Sequence, residues 1–153
     1  MAKKGRKNRA ANAILQELEE LAGLQVKIGF QSGQDQSEGG VDIANIAAWN
    51  ELGTEHIPSR PFMRNSVDNN EDTIKAMAQA QLKAVVGEKS AQEALQAIGV
   101  MQVGLVQNEI RNGNFEPNLP ATIARKGSST PLIDTGQMRQ SVRYFIEEKG
   151  GGK

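Results

Sequence analysis

The chain has 153 residues, with 18 basic and 18 acidic side chains, one histidine and no cysteine. That length suits one ordinary domain burying about two thirds of its unfolded surface around a single core, and the missing cysteines exclude disulfide frameworks, thiolate zinc sites and cysteine nucleophiles. The zero net charge hides a gradient: residues 1–13 hold 5 cations and no acid, residues 14–124 hold 7 cations against 15 acids, and residues 125–153 hold 6 against 3.

The first segment carries Lys3, Lys4, Arg6, Lys7 and Arg9. Such a basic arm is expected to be disordered alone, and either contacts phosphates nonspecifically through counterion release or serves as a solubilising tail. Glu17, Glu19 and Glu20 interrupt the apolar run a signal peptide requires. No window approaches the roughly 20 apolar residues of a membrane span, so a soluble protein with no membrane partner is expected. Ile14, Leu15, Leu18 and Leu21 share one helical face, which predicts an amphipathic helix over 10–22 stopped by Gly23. LQVKIGF, 24–30, alternates Val26, Ile28 and Phe30 with polar or small residues, the period of a half-buried strand. QSGQDQSEGG, 31–40, has no apolar residue and predicts an exposed, mobile loop that orders only on assembly. Asp42 is placed to cap a short helix, IANIAAWNEL, that ends at Gly53.

Residues 69–86 are rich in Ala, Gln, Lys and Met and predict a long helix closed by Gly87. SAQE, 90–93, fits a capping box in which Ser90 and Glu93 satisfy each other's free amides, so a second helix starts there and stops near Gly113. The short turn between them predicts an antiparallel helical hairpin. Gly99 and Gly104 inside the second helix suggest close approach of another backbone. The stretch 114–136 should be mostly irregular, with a turn of helix at ATIAR. Asp134 or Thr135 is placed to cap a short helix, GQMRQ, and SVRYFIEE alternates as a second strand. The expected architecture is α+β: a flexible basic arm over 1–9, one domain over 10–148, and a flexible tail over 149–153. Its small, mostly antiparallel sheet, with room for an added strand, packs against the long helical hairpin and carries extended interface loops.

The stretch NELGTEHIPSRPFMRN, 50–65, surrounds the lone His56 with Glu51, Thr54, Glu55, Ser59 and two arginines. Any catalytic triad would have to use His56, yet no nucleophile elbow or orienting partner accompanies it. One histidine does not make a zinc site, the acids lack calcium-loop spacing, and RKGSST, 125–130, lacks the leading glycines of a phosphate loop. No enzyme, no metal and no cofactor are expected. A different reading uses more of the residues. Gly53 ends the helix, Pro58 and Pro61 stiffen the chain that follows, and Phe62 and Met63 sit as apolar anchors beside Arg60 and Arg64, the composition of a protein interface. Phe62 either docks on a neighbour or plugs its own core.

IAAWNELGTEHIPSRPFMRNSVD, 46–68, resembles the Gly-Thr then Pro-x-Arg-Pro-Phe signature of bacteriophage neck and tail-completion proteins, minor virion proteins between the head connector and the tail tube. PNLPATIARKGSSTPLIDTGQMRQSVRY, 117–144, is similar to a second signature of such proteins, a Pro-Leu-Ile-Asp-Thr-Gly turn leading into a short helix and a strand. In the commoner neck family the two signatures occur in the opposite order. The resemblance implies a structural virion component, without catalysis, that forms a homo-oligomeric ring at the head-tail interface, assembled in the host bacterial cytoplasm. It would contact head-connector and tail-terminator or tail-tube proteins, with the basic arm facing DNA in the channel. A tail terminator or other minor tail component is the second reading, and a small nucleic-acid-binding regulator using the basic arm is the third. Subunit contacts are expected at Gly53, Thr54, Ile57 and Pro58, then at Arg60, Pro61, Phe62, Met63 and Arg64. A second patch is expected at Pro120, Pro131, Leu132, Asp134, Thr135 and Gly136.

Overall fold

The computed structural model describes residues 2–126 and 136–150, leaving the side chains of 2–7 and 126 aside. Seven helices and two strands follow in chain order: α1 Ala2–Gly23, β1 Leu24–Gly29, α2 Ile43–Leu52, α3 Phe62–Asp68, α4 Glu71–Val86, α5 Ala91–Asn112, α6 Pro120–Lys126, α7 Gln137–Gln140 and β2 Arg143–Glu148. β1 and β2 pair in a small antiparallel sheet, and the fold is α+β. Among the described residues the loop after β1 adds only an isolated antiparallel bridge, Gln36 with Asp42, in place of a third strand.

The single domain expected over 10–148 divides into two compact units. The first comprises residues 1–27, 72–101 and 144–153, and the second comprises 28–71 and 102–143. α5 contributes its first half to one unit and its second half to the other.

In the first unit α1 differs from the expected helix by starting at Ala2, continuous through the segment expected as a flexible arm. Its residues are mostly good helix formers and contain no proline, so a helix nucleated over the apolar stretch propagates toward the N-terminus. Its apolar stripe is only half-buried at Ile14, Leu18 and Leu21, and residues 8–13 are exposed. Glu17 fixes the helix in place: its carboxylate accepts the N–H of Ala91, the first residue of α5, at 2.8 Å. The capping box forms as expected, with Glu93 N–H donating to Ser90 Oγ and Ser90 N–H to Glu93 Oε2, both at 3.1 Å. These bonds hold the Glu93 carboxyl below its usual range. Ala91 and Ala94 are buried on α5, where small side chains let neighbouring elements approach. Gly99 lies against the Tyr144 ring of β2, so the strand packs on α5 through a side chain rather than through backbone. Across the strand pair Glu147 accepts from Gln25 and ion-pairs with Lys27, which lowers its pKa, the Lys27 bond contributing most.

In the second unit a core forms from Ile43 and Ala47 of α2, Phe62 of α3, Val106 and Ile110 of α5, Met138 of α7 and Val142. Phe30 and Phe62 meet edge to face with centroids 6.0 Å apart, the favoured geometry for aromatic quadrupoles. The loop over 31–40 is held by specific bonds. Asp42 accepts from Gly33 N–H, Ala44 N–H and Ser32 Oγ, which together pull its carboxyl below the usual range, Gly33 contributing most. Asp35 adds an ion pair to Arg143 at 3.0 Å. Acid side chains thus tie down a segment whose polarity suggested mobility.

Candidate functional site

The interest of the second unit lies around the 50–65 stretch. α2 ends where the Gly53 N–H donates to Trp49 O, with Gly53 at φ +77. A side chain there would be strained, and its Cβ would sit 2.9 Å from Ser59 N. Thr54 then closes a tight turn: its Oγ1 accepts from the His56 and Ile57 N–H groups, and its N–H donates to Ile57 O. His56 itself is exposed.

The chain leaves this turn into α3 rather than as a free arm. Glu51 caps that helix from the end of α2, its two carboxylate oxygens accepting from Met63 N–H at 2.8 Å and Arg64 N–H at 3.2 Å. Phe62 is fully buried in the core of its own unit, which corrects the expectation that it docks on a neighbour; Met63 packs half-buried on the same core. Hydrophobic burial wins because the proline-stiffened approach and the Glu51 cap aim residue 62 inward.

Arg60 is also internal, only 5% exposed. Its backbone N–H donates to Asn50 O, its Nε donates to Glu116 O at 3.0 Å and one Nη donates to Asn118 Oδ1 at 3.1 Å. Arg60 therefore joins the 50s to the chain ahead of α6 rather than reaching an adjacent subunit. Among the described residues no carboxylate forms an ion pair with it; burial lowers its pKa and the more distant Glu116 opposes that. The guanidinium lines a cavity of about 640 Å³ whose walls include Ile43, Ile46, Ile57 and Met138, with His56 and Arg125 also on its lining.

α2 presents a second feature. Ile43 and Ala47 are buried on one side, while Asn45, Ala48, Trp49 and Leu52 are exposed at i, i+3, i+4 and i+7 spacing on the other. Leu52 is 75% exposed and Trp49 43%. Beside the polar Asn45, the outer face therefore exposes Ala48, Trp49 and Leu52, an apolar surface suited to burial against something else.

Of the remaining expected contact residues, Thr54 and Arg64 are exposed, while Gly53, Ile57, Pro58 and Pro61 are half-buried. Pro120 is exposed at the first position of α6, where proline is favoured, and Gly136 precedes α7 at φ +81. Pro131, Leu132, Asp134 and Thr135 lie outside the described residues, as do the side chains of Lys3, Lys4, Arg6 and Lys7; Arg9 is exposed on α1. Leu52 and Trp49 are not among the contact residues expected from the sequence, although their helical spacing from Ala48 is legible there. Asn118 and Glu116 as partners of Arg60 carry no local signal. Among the described residues no three of His, Cys, Asp and Glu gather to hold a metal, and no helix is long and apolar enough to cross a membrane. Comparison of the chain with protein-family models, with curated proteins and with solved structures gives no match.

Proposed function

We propose that this chain is a structural virion protein of a tailed bacteriophage, a neck or tail-completion component that assembles as a homo-oligomeric ring at the head-tail interface. The observation that carries the reading is the outward apolar face of α2, Ala48, Trp49 and Leu52, set within the 46–68 signature. Tryptophan is enriched among the few residues that carry most of the energy of protein interfaces, and the exposed Leu52 beside Trp49 extends the apolar surface around it. A closed ring requires that each copy present one patch to a different patch on the next. The proposal gives the protein no catalytic role, no cofactor and no membrane partner. Its partners are further copies of itself and the connector and tail proteins that the ring joins, with the virion as its location. The basic end of α1 is the part assigned to DNA in the channel, where clustered cations favour phosphate contact at low salt. Negative-stain imaging of the purified chain tests the reading: rings are expected, and they should be lost in Leu52→Glu while the monomer stays folded. A Leu52→Glu protein that assembles like wild type would refute the role of this face.

A further inference from the structure

The two-stranded sheet has an open edge on each side. Lys149 N–H donates to Gly23 O at 2.8 Å just beyond the strand ends, which sets the register: Gln25 stands opposite Glu147, and Lys27 opposite Phe145, as hydrogen-bonded pairs. The side-chain bond from Gln25 to Glu147 agrees with it. The N–H and C=O groups of Leu24 and Val26 on β1, and of Tyr144, Ile146 and Glu148 on β2, therefore point away from the opposite strand. Among the described residues none of these groups finds another hydrogen-bond partner. The first unit, which holds them, is described over 2–27, 72–101 and 144–150. None of residues 24–27 or 144–148 is buried, and a Cβ added at Gly23 or Gly29, at either end of β1, would meet nothing within 4 Å. Buried backbone groups are nearly always paired, so these outward groups face water in the single chain.

A sheet of two strands is marginal alone, and a free edge six residues long is a template for a further strand. The two edges differ in charge. β1 carries Lys27 and no acid, whereas β2 carries Glu147 and Glu148, its one cation, Arg143, being engaged by Asp35. Joining two β1 edges would set Lys27 against Lys27 on one face, and joining two β2 edges would set acids against acids, both unfavourable. Joining β2 to the β1 of a second copy sets the acids against a lysine that is 52% exposed. Each copy owns one edge of each kind, so unlike pairing leaves a free edge at both ends of the assembly and repeats until a ring closes. Copies rotated about an axis running with the strands keep every β1 in one direction, so the new junction is antiparallel, as it is within the chain.

We propose that the β2 edge of one copy pairs with the β1 edge of the next, Tyr144, Ile146 and Glu148 exchanging backbone hydrogen bonds with Leu24 and Val26 while Glu147 attracts the Lys27 of that next copy. This inference rests on the ring reading above and gives it a head-to-tail backbone contact that the apolar face of α2 does not supply. A ring closed in this way has no free sheet edge left.

Two measurements test it. Val26→Pro removes one outward N–H and no ladder bond within the chain, so circular dichroism should show a folded protein while the concentration at half-assembly rises about tenfold. With no native cysteine, single cysteines report on the junction. Gln25, Lys27 and Glu147 fall at its non-hydrogen-bonded positions, where opposite Cα atoms lie about 4.5 Å apart and a disulfide fits. Glu147→Cys protein mixed with Gln25→Cys or with Lys27→Cys protein and oxidised should give a mixed dimer on a denaturing gel, and none of the three should dimerise alone. Homodimers of a single-cysteine protein, no mixed dimer from either mixture, or a folded Val26→Pro that assembles within about twofold of wild type overturns the pairing of unlike edges, while wild-type rings leave the ring reading standing. Should Val26→Pro fail to fold, the disulfide result decides alone. A wild-type chain that stays monomeric overturns both.

Discussion

Replacing Phe62 by alanine separates two accounts of the Pro-Arg-Pro-Phe segment. Phe62 is 0% exposed and meets Phe30 edge to face at 6.0 Å. Truncating a buried phenylalanine costs about 3–5 kcal/mol in lost transfer energy and cavity, and loss of the aromatic pair places this site near the top, at about 4–5 kcal/mol. Against a total stability of about 5–15 kcal/mol, that is a large fraction. Trp49, the only tryptophan, sits on α2 in the same unit, so its fluorescence during urea unfolding reports on the second unit specifically. With a slope of about 2 kcal/mol/M, the midpoint should fall by about 2 M. A shift below about 0.5 M accompanied by loss of rings would show that Phe62 serves a neighbour and would refute the core placement.

Further expectations follow from individual side chains. In α5, Gly99→Ala drives a Cβ to 2.6 Å from the base of the Tyr144 ring and should cost about 1–3 kcal/mol by thermal melting, whereas Gly104→Ala meets nothing within 4 Å and should stabilise by about 1 kcal/mol. Equal losses at both sites would contradict the packing described. Asp42 has its folded pKa below the unfolded value of about 3.9, so its contribution is complete above that pH and disappears as pH falls through the folded value. Asp42→Asn should therefore lower the urea midpoint at about pH 7 and narrow the gap between midpoints at about pH 7 and pH 3; an unchanged gap would count against the clamp. Deleting residues 2–9 should leave the first unit folded and reduce the salt slope of duplex-DNA binding by about 0.9 for each phosphate that the shortened chain no longer neutralises, and an identical slope would remove DNA from the account.

Local chemistry was readable in the sequence, and long-range partnerships were not. The Asp42 cap, the Ser90–Glu93 box and the Gly53 stop each depend on residues a few positions apart, and the structure contains all of them. The strand alternations placed β1 and β2 to within two residues at each end because a half-buried strand repeats every second residue. Phe62 was ambiguous because an aromatic after two prolines suits a core or a neighbour equally, and the deciding partner, Phe30, lies on the far side of the polar loop. Arg60 reads as an outward contact in sequence because its acceptors, Glu116 and Asn118, are 56 and 58 positions away. Gly87 drew the left-handed position in the sequence reading, while the hydrogen-bond ladder of α4 puts Glu88 there. The loop over 31–40 looked mobile by composition, yet its polar atoms are those that Asp42 and Arg143 bind.

Native mass spectrometry of the purified chain beside its Leu52→Glu variant bears most directly on the claim that this protein works by self-assembly through the outer face of α2. A discrete closed oligomer for the wild type and a folded monomer for the variant are predicted. A wild-type chain that remains monomeric at the highest attainable concentration, or a variant that forms the same oligomer, would contradict it.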